Sequence, residues 1–251
     1  MKTLRDYIED VQIKENMANI YNEQGDIKKN QNVYDAFNDF IFSTDRNVFN
    51  KLIARASIYY ATKKLHGDII ECGVYKGSGM LTWLKLMDVS EYHSIKKVVG
   101  FDMFNPAETL KTIFDEKDHG MMKQVFDRDS KNDDLSLDAV HNRIIRAGFR
   151  GDKYELVKGD ITKLAHHYVK EHPGLRISIL YLDLDIADPT YSALEAFESR
   201  IVKGGCIVFD EYAYQAWSES DAADDFIAEH GSKYEIVKLD IKAPTLLLIK
   251  K

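Results

Sequence analysis

The stretch Ile179-Leu180-Tyr181-Leu182-Asp183-Leu184-Asp185-Ile186-Ala187-Asp188-Pro189-Thr190 decides the fold. An apolar run ends in two carboxylates, and a helix start follows at once. A second apolar run, Cys206-Ile207-Val208-Phe209, ends in Asp210-Glu211 in the same way. Both runs are too apolar for a sheet with one wet face, so they read as buried parallel strands. Sites in open α/β sheets form just beyond the carboxyl ends of such strands. Acids gathered at that edge make an oxygen-rich cluster suited to a divalent cation, Mg²⁺ or Ca²⁺ rather than zinc. Asp183 and Asp185 lie two apart, so on a regular strand they share one face.

Working outward, strands and helices alternate. Strands are expected at Asp68–Val74, Lys97–Met103, Tyr154–Lys158, Ile177–Asp183, Cys206–Asp210, Tyr234–Leu239 and Thr245–Ile249. Helices are expected near 78–87, 162–171, 189–201 and 220–229, with Asp188 capping the third and Pro189 at its first position. Residues 104–152 form a polar insertion, helical around 108–126 and 135–147. Residues 1–66 carry no convincing strand and read as an N-terminal helical extension, with 67–251 as the main domain. Alternating β and α elements imply a parallel sheet covered on both faces. Only residues 240–244 separate the last two strands, too few for a parallel crossover, so the last strand runs antiparallel. The fold class is α/β: a Rossmann-like, seven-stranded, mostly parallel sheet with an antiparallel last strand. That is the arrangement of class I S-adenosylmethionine (SAM) dependent methyltransferases.

Composition narrows the function. With 45% apolar and 30% charged residues over 251 positions, the chain reads as an ordinary globular protein with a large core. A net charge of −7 argues against nucleic acid or an acidic membrane as the main partner. No uncharged apolar stretch approaches a membrane span, and Lys2 and Arg5 lead into Asp6, Glu9 and Asp10 rather than into a leader's apolar core. Cys72 and Cys206 sit in strand-like runs as reduced thiols, which fits the cytoplasm.

The first strand runs into Glu71-Cys72-Gly73-Val74-Tyr75-Lys76-Gly77-Ser78-Gly79. Its glycines permit a tight turn and close approach of backbone to a ligand. The spacing is not the dinucleotide fingerprint, and an ordinary strand-to-helix turn accounts for it equally well. Glu71, Asp102 and Asp160 at the ends of three successive strands favour a bound nucleoside. Asp102 is placed to take ribose hydroxyls, and Asp160 to take the adenine amino group. His166-His167 belong on a helix surface, while His119 and His141 lie in the insertion within possible reach of a substrate. Glu219, Asp221, Asp224 and Asp225 read as the wet face of a helix. Trp217 reads equally as a substrate wall or a core anchor.

These motifs resemble the macrocin and mycinamicin type sugar O-methyltransferases of the class I SAM-dependent fold. The resemblance rests on Gly67 to Ser78, Gly100-Phe101-Asp102-Met103-Phe104, Leu182 to Asp185 with Pro189-Thr190, Gly204 to Tyr212, and Trp217 to Phe226, and covers roughly 49–250. It implies that Glu71, Gly73, Tyr75, Gly77 and Ser78 shape the pocket for the methionine part of SAM. Asp102 would hold the ribose and Asp160 would lie near the adenine, with Asp183 also on the cofactor. Asp183, Asp210 and Glu211 match the family's Mg²⁺ ligands, and Asp183 or Asp185 would be the general base. The implied acceptor is a saccharide, and the implied state a homo-oligomer. Two positions depart from the family: Glu211 stands where Asp is usual, and Phe104-Asn105-Pro106-Ala107 lacks the usual glycine. Three other readings remain open: a methyltransferase for a non-sugar acceptor, a nicotinamide-dependent oxidoreductase, and a catalytically silent protein keeping the fold. The missing fingerprint argues against the second, and the retained like charges argue against the third.

Overall fold

The computed structural model describes residues 27–91, 94–128 and 135–251. The parts of the expected N-terminal extension and insertion at 1–26 and 129–134 lie outside the described residues. Seven strands form one sheet: β1 Asp68–Cys72, β2 Val98–Asp102, β3 Tyr154–Lys158, β4 Ile177–Leu182, β5 Ile201–Phe209, β6 Tyr234–Lys238 and β7 Leu246–Lys250. Their order is β3-β2-β1-β4-β5-β7-β6. All pairings from β3 to β5 are parallel, and β7 lies antiparallel between β5 and β6. This is the class I methyltransferase arrangement, antiparallel strand included.

Alternation along the central strands divides the core into two layers. Ile70, Cys72, Leu180, Leu182, Ile207 and Phe209 point to one face. There they meet α7 (Ile161–Glu171), α8 (Ala187–Phe197) and α9 (Glu219–His230). Ile69, Ile179, Tyr181, Cys206 and Val208 point to the other. That face packs on α2 (Asn47–Thr62), α3 (Ser78–Ser90) and α6 (Leu137–Arg146). All six residues of β4 are buried, as a strand covered on both faces requires. Cys72 and Cys206 are buried free thiols on opposite faces of the sheet.

Helix α1 (Ile27–Phe42) precedes α2. Helix α2 is part of the core, with Ile58 and Tyr59 buried in the second layer. The insertion forms three helices rather than two: α4 (Pro106–Thr112), α5 (Glu116–Arg128) and α6. Asn105 caps α4, accepting from the Ala107 and Glu108 amides. The α4–α5 segment docks onto the sheet edge through Asp118, which accepts from the Ser218 hydroxyl. The same hydroxyl accepts from the Ala187 amide at 2.9 Å. This bond explains a departure from the sequence reading. Helix α8 starts at Ala187, so Asp188 is not its N-cap and Pro189 is its third residue rather than its first. A serine thirty-one positions later supplies the cap contact that the local sequence does not.

Candidate active site

The site begins where β1 ends. The Gly73 backbone has a φ of 90°, open to glycine but strained for other residues. A Cβ here would lie 1.8 Å from the Asp183 carbonyl oxygen, so glycine lets the loop press against the end of β4. Tyr75 follows with a φ of 51° and an exposed side chain. Gly77 precedes Ser78, the first residue of α3. Asp102, at the end of β2, holds this loop. One carboxylate oxygen accepts from the Val74 and Tyr75 amides, each at 2.9 Å, and the other from Phe104 at 2.7 Å. Burial raises its pKa, and the three amides pull the other way. A carboxylate has about four acceptor sites, so Asp102 keeps capacity for a ligand hydroxyl.

Glu71 and Asp160 are engaged elsewhere. Glu71 sits on the α2–α3 face of β1, 1% exposed, 3.5 Å from the Arg55 guanidinium. Burial pushes its carboxyl up to about 7, against the opposing charge of Arg55. Gly79 makes room for the pair; a Cβ there would lie 1.8 Å from Glu71 Oε1 and 2.1 Å from an Arg55 nitrogen. Asp160 is the N-cap of α7, accepting from the Thr162 amide at 3.0 Å and hydroxyl at 2.6 Å, with Lys163 at 2.8 Å. Burial raises its pKa, but Lys163 and Thr162 outweigh this and hold it below the usual range.

The acids of the opening stretch converge beyond β4 and β5. Strand β4 ends at Leu182, and Asp185 adopts a left-handed φ of 69°. The regular strand that would place Asp183 and Asp185 on one face does not continue; a turn brings them together instead. Burial, then the charges of Asp183, Glu211 and Asp210, hold the Asp185 carboxyl well above the carboxylate range. Burial and Asp183 raise Asp210 to about 6, with Lys51 pulling it down. Burial, Asp210 and Asp183 raise Glu211 to about 7, and one of its oxygens is buried without a hydrogen-bond partner. Asp210 also accepts from the Tyr181 hydroxyl.

Three side chains at this cluster were not foreseen. Glu219 is fully buried rather than on a wet helix face, and accepts from the Glu211 amide at 2.8 Å. Lys51 and Arg55 reach in from α2. The Lys51 ammonium lies 2.9 Å from Asp183 Oδ2 and 2.7 Å from Asp210 Oδ2. Burial alone would lower its pKa, but those two carboxylates raise it above the ordinary value. Arg55 lies 3.7 Å from Asp183 and stacks over Tyr181 at 4.3 Å. The signal was present in the sequence: 51, 55, 58, 59 and 62 form one helical stripe, with two cations on an otherwise mainly apolar face.

A cleft of about 1370 Å³ opens between the starts of α7, α8 and α9 and under the α4–α5 segment; Lys51 and the cluster acids do not line it. Asp160, Ile186, Tyr191 and Trp217 line it. Trp217 lines the cleft and also packs on the Ile113–Met122–Ile186 group. His141 is tied to the Tyr154 hydroxyl at 2.9 Å. His167 is exposed beside Glu171.

Residues 10–245 match the family described as Macrocin-O-methyltransferase (TylF). The chain belongs to this family. The match extends to residue 10, well ahead of position 49 where the sequence resemblance begins. A curated relative in Streptomyces olivaceus, 8-demethyl-8-(2,3-dimethoxy-alpha-L-rhamnosyl)-tetracenomycin-C 4'-O-methyltransferase, is 25% identical over 178 residues. That alignment covers 69% of this chain and 63% of the relative, so the chain spans under two thirds of the relative's length. The chain's fold is similar to that of CalS11, described as TDP-rhamnose 3'-O-methyltransferase. CalS11 is 21% identical with a TM-score of 0.62, and the match covers 100% of this chain and 96% of CalS11. The O-methyltransferase NovP has a TM-score of 0.62 at 18% identity, over 80% of this chain and 79% of NovP. These likenesses carry the fold.

Proposed function

We propose that this TylF-family protein transfers the methyl group of SAM to a hydroxyl of a sugar. The observation that carries the reading is the meeting at Asp183 of a glycine loop and an acidic cluster. The Gly73–Gly77 loop and Asp102 form a cradle for SAM, with Asp160 at the adenine end. The acceptor enters from the cleft, where Trp217 offers an apolar wall to a sugar face. The acceptor oxygen attacks the methyl carbon in line; the sulfur–carbon bond breaks and its electron pair stays on sulfur. The hydroxyl proton passes to Asp183 or Asp185. Alignment of the two reactants supplies much of the rate.

The sequence reading places Mg²⁺ on Asp183, Asp210 and Glu211. These donors suit the ion in kind, but the Lys51 ammonium already bridges two of them. The set as arranged does not fit a divalent ion, and no step is routed through one. A saccharide is the favoured acceptor, nucleotide-linked or carried on a natural product, since the curated relative is described as a methyltransferase of a rhamnosyl tetracenomycin. Helix α1, α2 and the insertion cover the acceptor side in this reading, so acceptor should slow protease nicking there. A homo-oligomer is supported by the exposed Val33, Phe37, Ile41, Phe49 and Ile53 on α1 and α2; light scattering tests it. No helix among the described residues is long and apolar enough to cross a membrane, and two free thiols support a reducing cytoplasm.

Calorimetric titration with S-adenosylhomocysteine tests the cofactor. Micromolar binding supports the reading, and absence of binding overturns it. Methyl transfer from labelled SAM to TDP-rhamnose, compared with a catechol, tests the acceptor class.

A further inference from the structure

The acidic cluster gathers Asp183, Asp185, Asp210 and Glu211 at one strand edge, and like charges so placed require a cation. In this chain the cation is covalently attached. Helix α2 presents Lys51 and Arg55 one turn apart, and the two divide the work. Arg55 faces inward to Glu71 and Tyr181, at 3.5 Å and 4.3 Å. Lys51 faces the edge, with its nitrogen within 2.9 Å of both Asp183 and Asp210. An ammonium has three N–H donors. Two are spent on these carboxylates, and the third has no partner among the described residues. The Lys51 side chain is 31% exposed, so the ammonium is not sealed from solvent.

We propose that Lys51 is the resident cation of the acceptor site, taking the place of a divalent ion between Asp183 and Asp210 and offering its third N–H to the acceptor oxygen. This rests on the sugar O-methyltransferase reading above. The ammonium holds the two carboxylates in place and supplies positive charge where the attacking oxygen loses its proton. No electron or proton leaves Lys51 in the step: the hydroxyl proton goes to the carboxylate base, and the methyl group crosses from sulfur to oxygen.

Mn²⁺ titration of the full chain, followed by electron paramagnetic resonance, separates the possibilities without an acceptor. Wild type should show no Mn²⁺ site at the cluster. Lys51→Ala should bind Mn²⁺ about tenfold more tightly or better, because a unit positive charge at contact distance has gone. Asp210→Asn added to Lys51→Ala should abolish that gain. Stoichiometric Mn²⁺ binding by wild type, lost in Asp210→Asn, would overturn the proposal whether or not the Lys51 variant folds. Equal Mn²⁺ affinity in wild type and a folded Lys51→Ala would overturn it as well. Binding of S-adenosylhomocysteine by wild type is measured alongside. Its absence sinks the methyltransferase reading and leaves the Mn²⁺ comparison standing by itself.

Discussion

On one side of Asp183 the sheet edge is made of backbone. The turn after β1 passes through glycine at 73 and 77, and Asp102 ties it down through the Val74 and Tyr75 amides. On the other side the edge is made of charged side chains drawn from α2, β4, β5 and α9. The backbone half is local in sequence and rigid by sterics. The charged half is assembled from positions far apart in the chain, 159 residues in the contact of Lys51 with Asp210, and is held by electrostatics. The first kind of site should fail by clashing and the second by losing charge balance.

Gly73→Ala tests the first failure and carries the largest expected effect. The new Cβ would meet the Asp183 carbonyl at 1.8 Å, in a backbone conformation that alanine resists. Neither backbone has room to yield. A loss of about 4 kcal/mol or more is expected, with S-adenosylhomocysteine binding lost in whatever folds. Denaturant unfolding and calorimetry would measure both. A variant within about 0.5 kcal/mol of wild type would break the claim that sterics build this half.

Asp183→Asn tests the second failure. Asparagine keeps the shape but removes a charge from Lys51 and a candidate base from the reaction. Turnover should fall about a hundredfold or more, while S-adenosylhomocysteine affinity stays near wild type. Unchanged turnover would remove Asp183 from the chemistry. Loss of cofactor affinity would mean that the two halves are not separable at this residue.

The backbone half was the more legible. Buried strands announce themselves as apolar runs, and the short connection after β6 fixes the antiparallel ending. The glycine turn can be read because its glycines fall within five residues at the end of an apolar run, although what Gly73 presses against, the Asp183 carbonyl, lies far away in sequence. The charged half was read only as acids. Lys51 and Arg55 lie far away on a helix, and periodicity shows that they share a face without showing what the face meets. Asp185 could not be placed, because its left-handed turn ends the strand on which the two-residue alternation depends. Glu219 has the look of a solvated first-turn acid, and only the fold reveals that the Glu211 amide waits for it. The α8 start was misplaced for the same reason, since Ser218 supplies the cap contact from another element.

Glu71 lies on the border between the halves and makes a pH-dependent comparison possible. Its carboxyl is raised from an ordinary 4.5 to about 7 in the folded chain. The folded state therefore binds this proton more tightly than the unfolded state. The stability it contributes is full below about pH 4.5 and is lost as pH rises through about 7. At about 1.4 kcal/mol per pKa unit, the effect is roughly 3 kcal/mol. Asp210 and Glu211 slope in the same direction, so the contribution is read as a difference between variants. Glu71→Gln should flatten that part of the stability curve between about pH 4.5 and 7. An unchanged slope would mean that Arg55 holds Glu71 ionised throughout.

Asp160→Ala gives the smallest effect and the sharpest division of roles. Asp160 caps α7 through Thr162 and also lines the cleft. Removing the cap should cost about 1 kcal/mol of stability whatever else the residue does. Asp160→Asn should retain most of the cap, because an amide oxygen still accepts from the Thr162 amide. The amide group brings donors of its own, however, and cannot match a carboxylate as acceptor for the adenine amino group. If Asp160 meets adenine, both variants weaken S-adenosylhomocysteine binding, and only alanine lowers stability appreciably. If Asp160 only caps, the asparagine variant binds like wild type, and the adenine end of the site must be built from other residues lining the cleft. Calorimetry and thermal unfolding on the same two variants distinguish these cases, because affinity and stability move independently in one and together in the other.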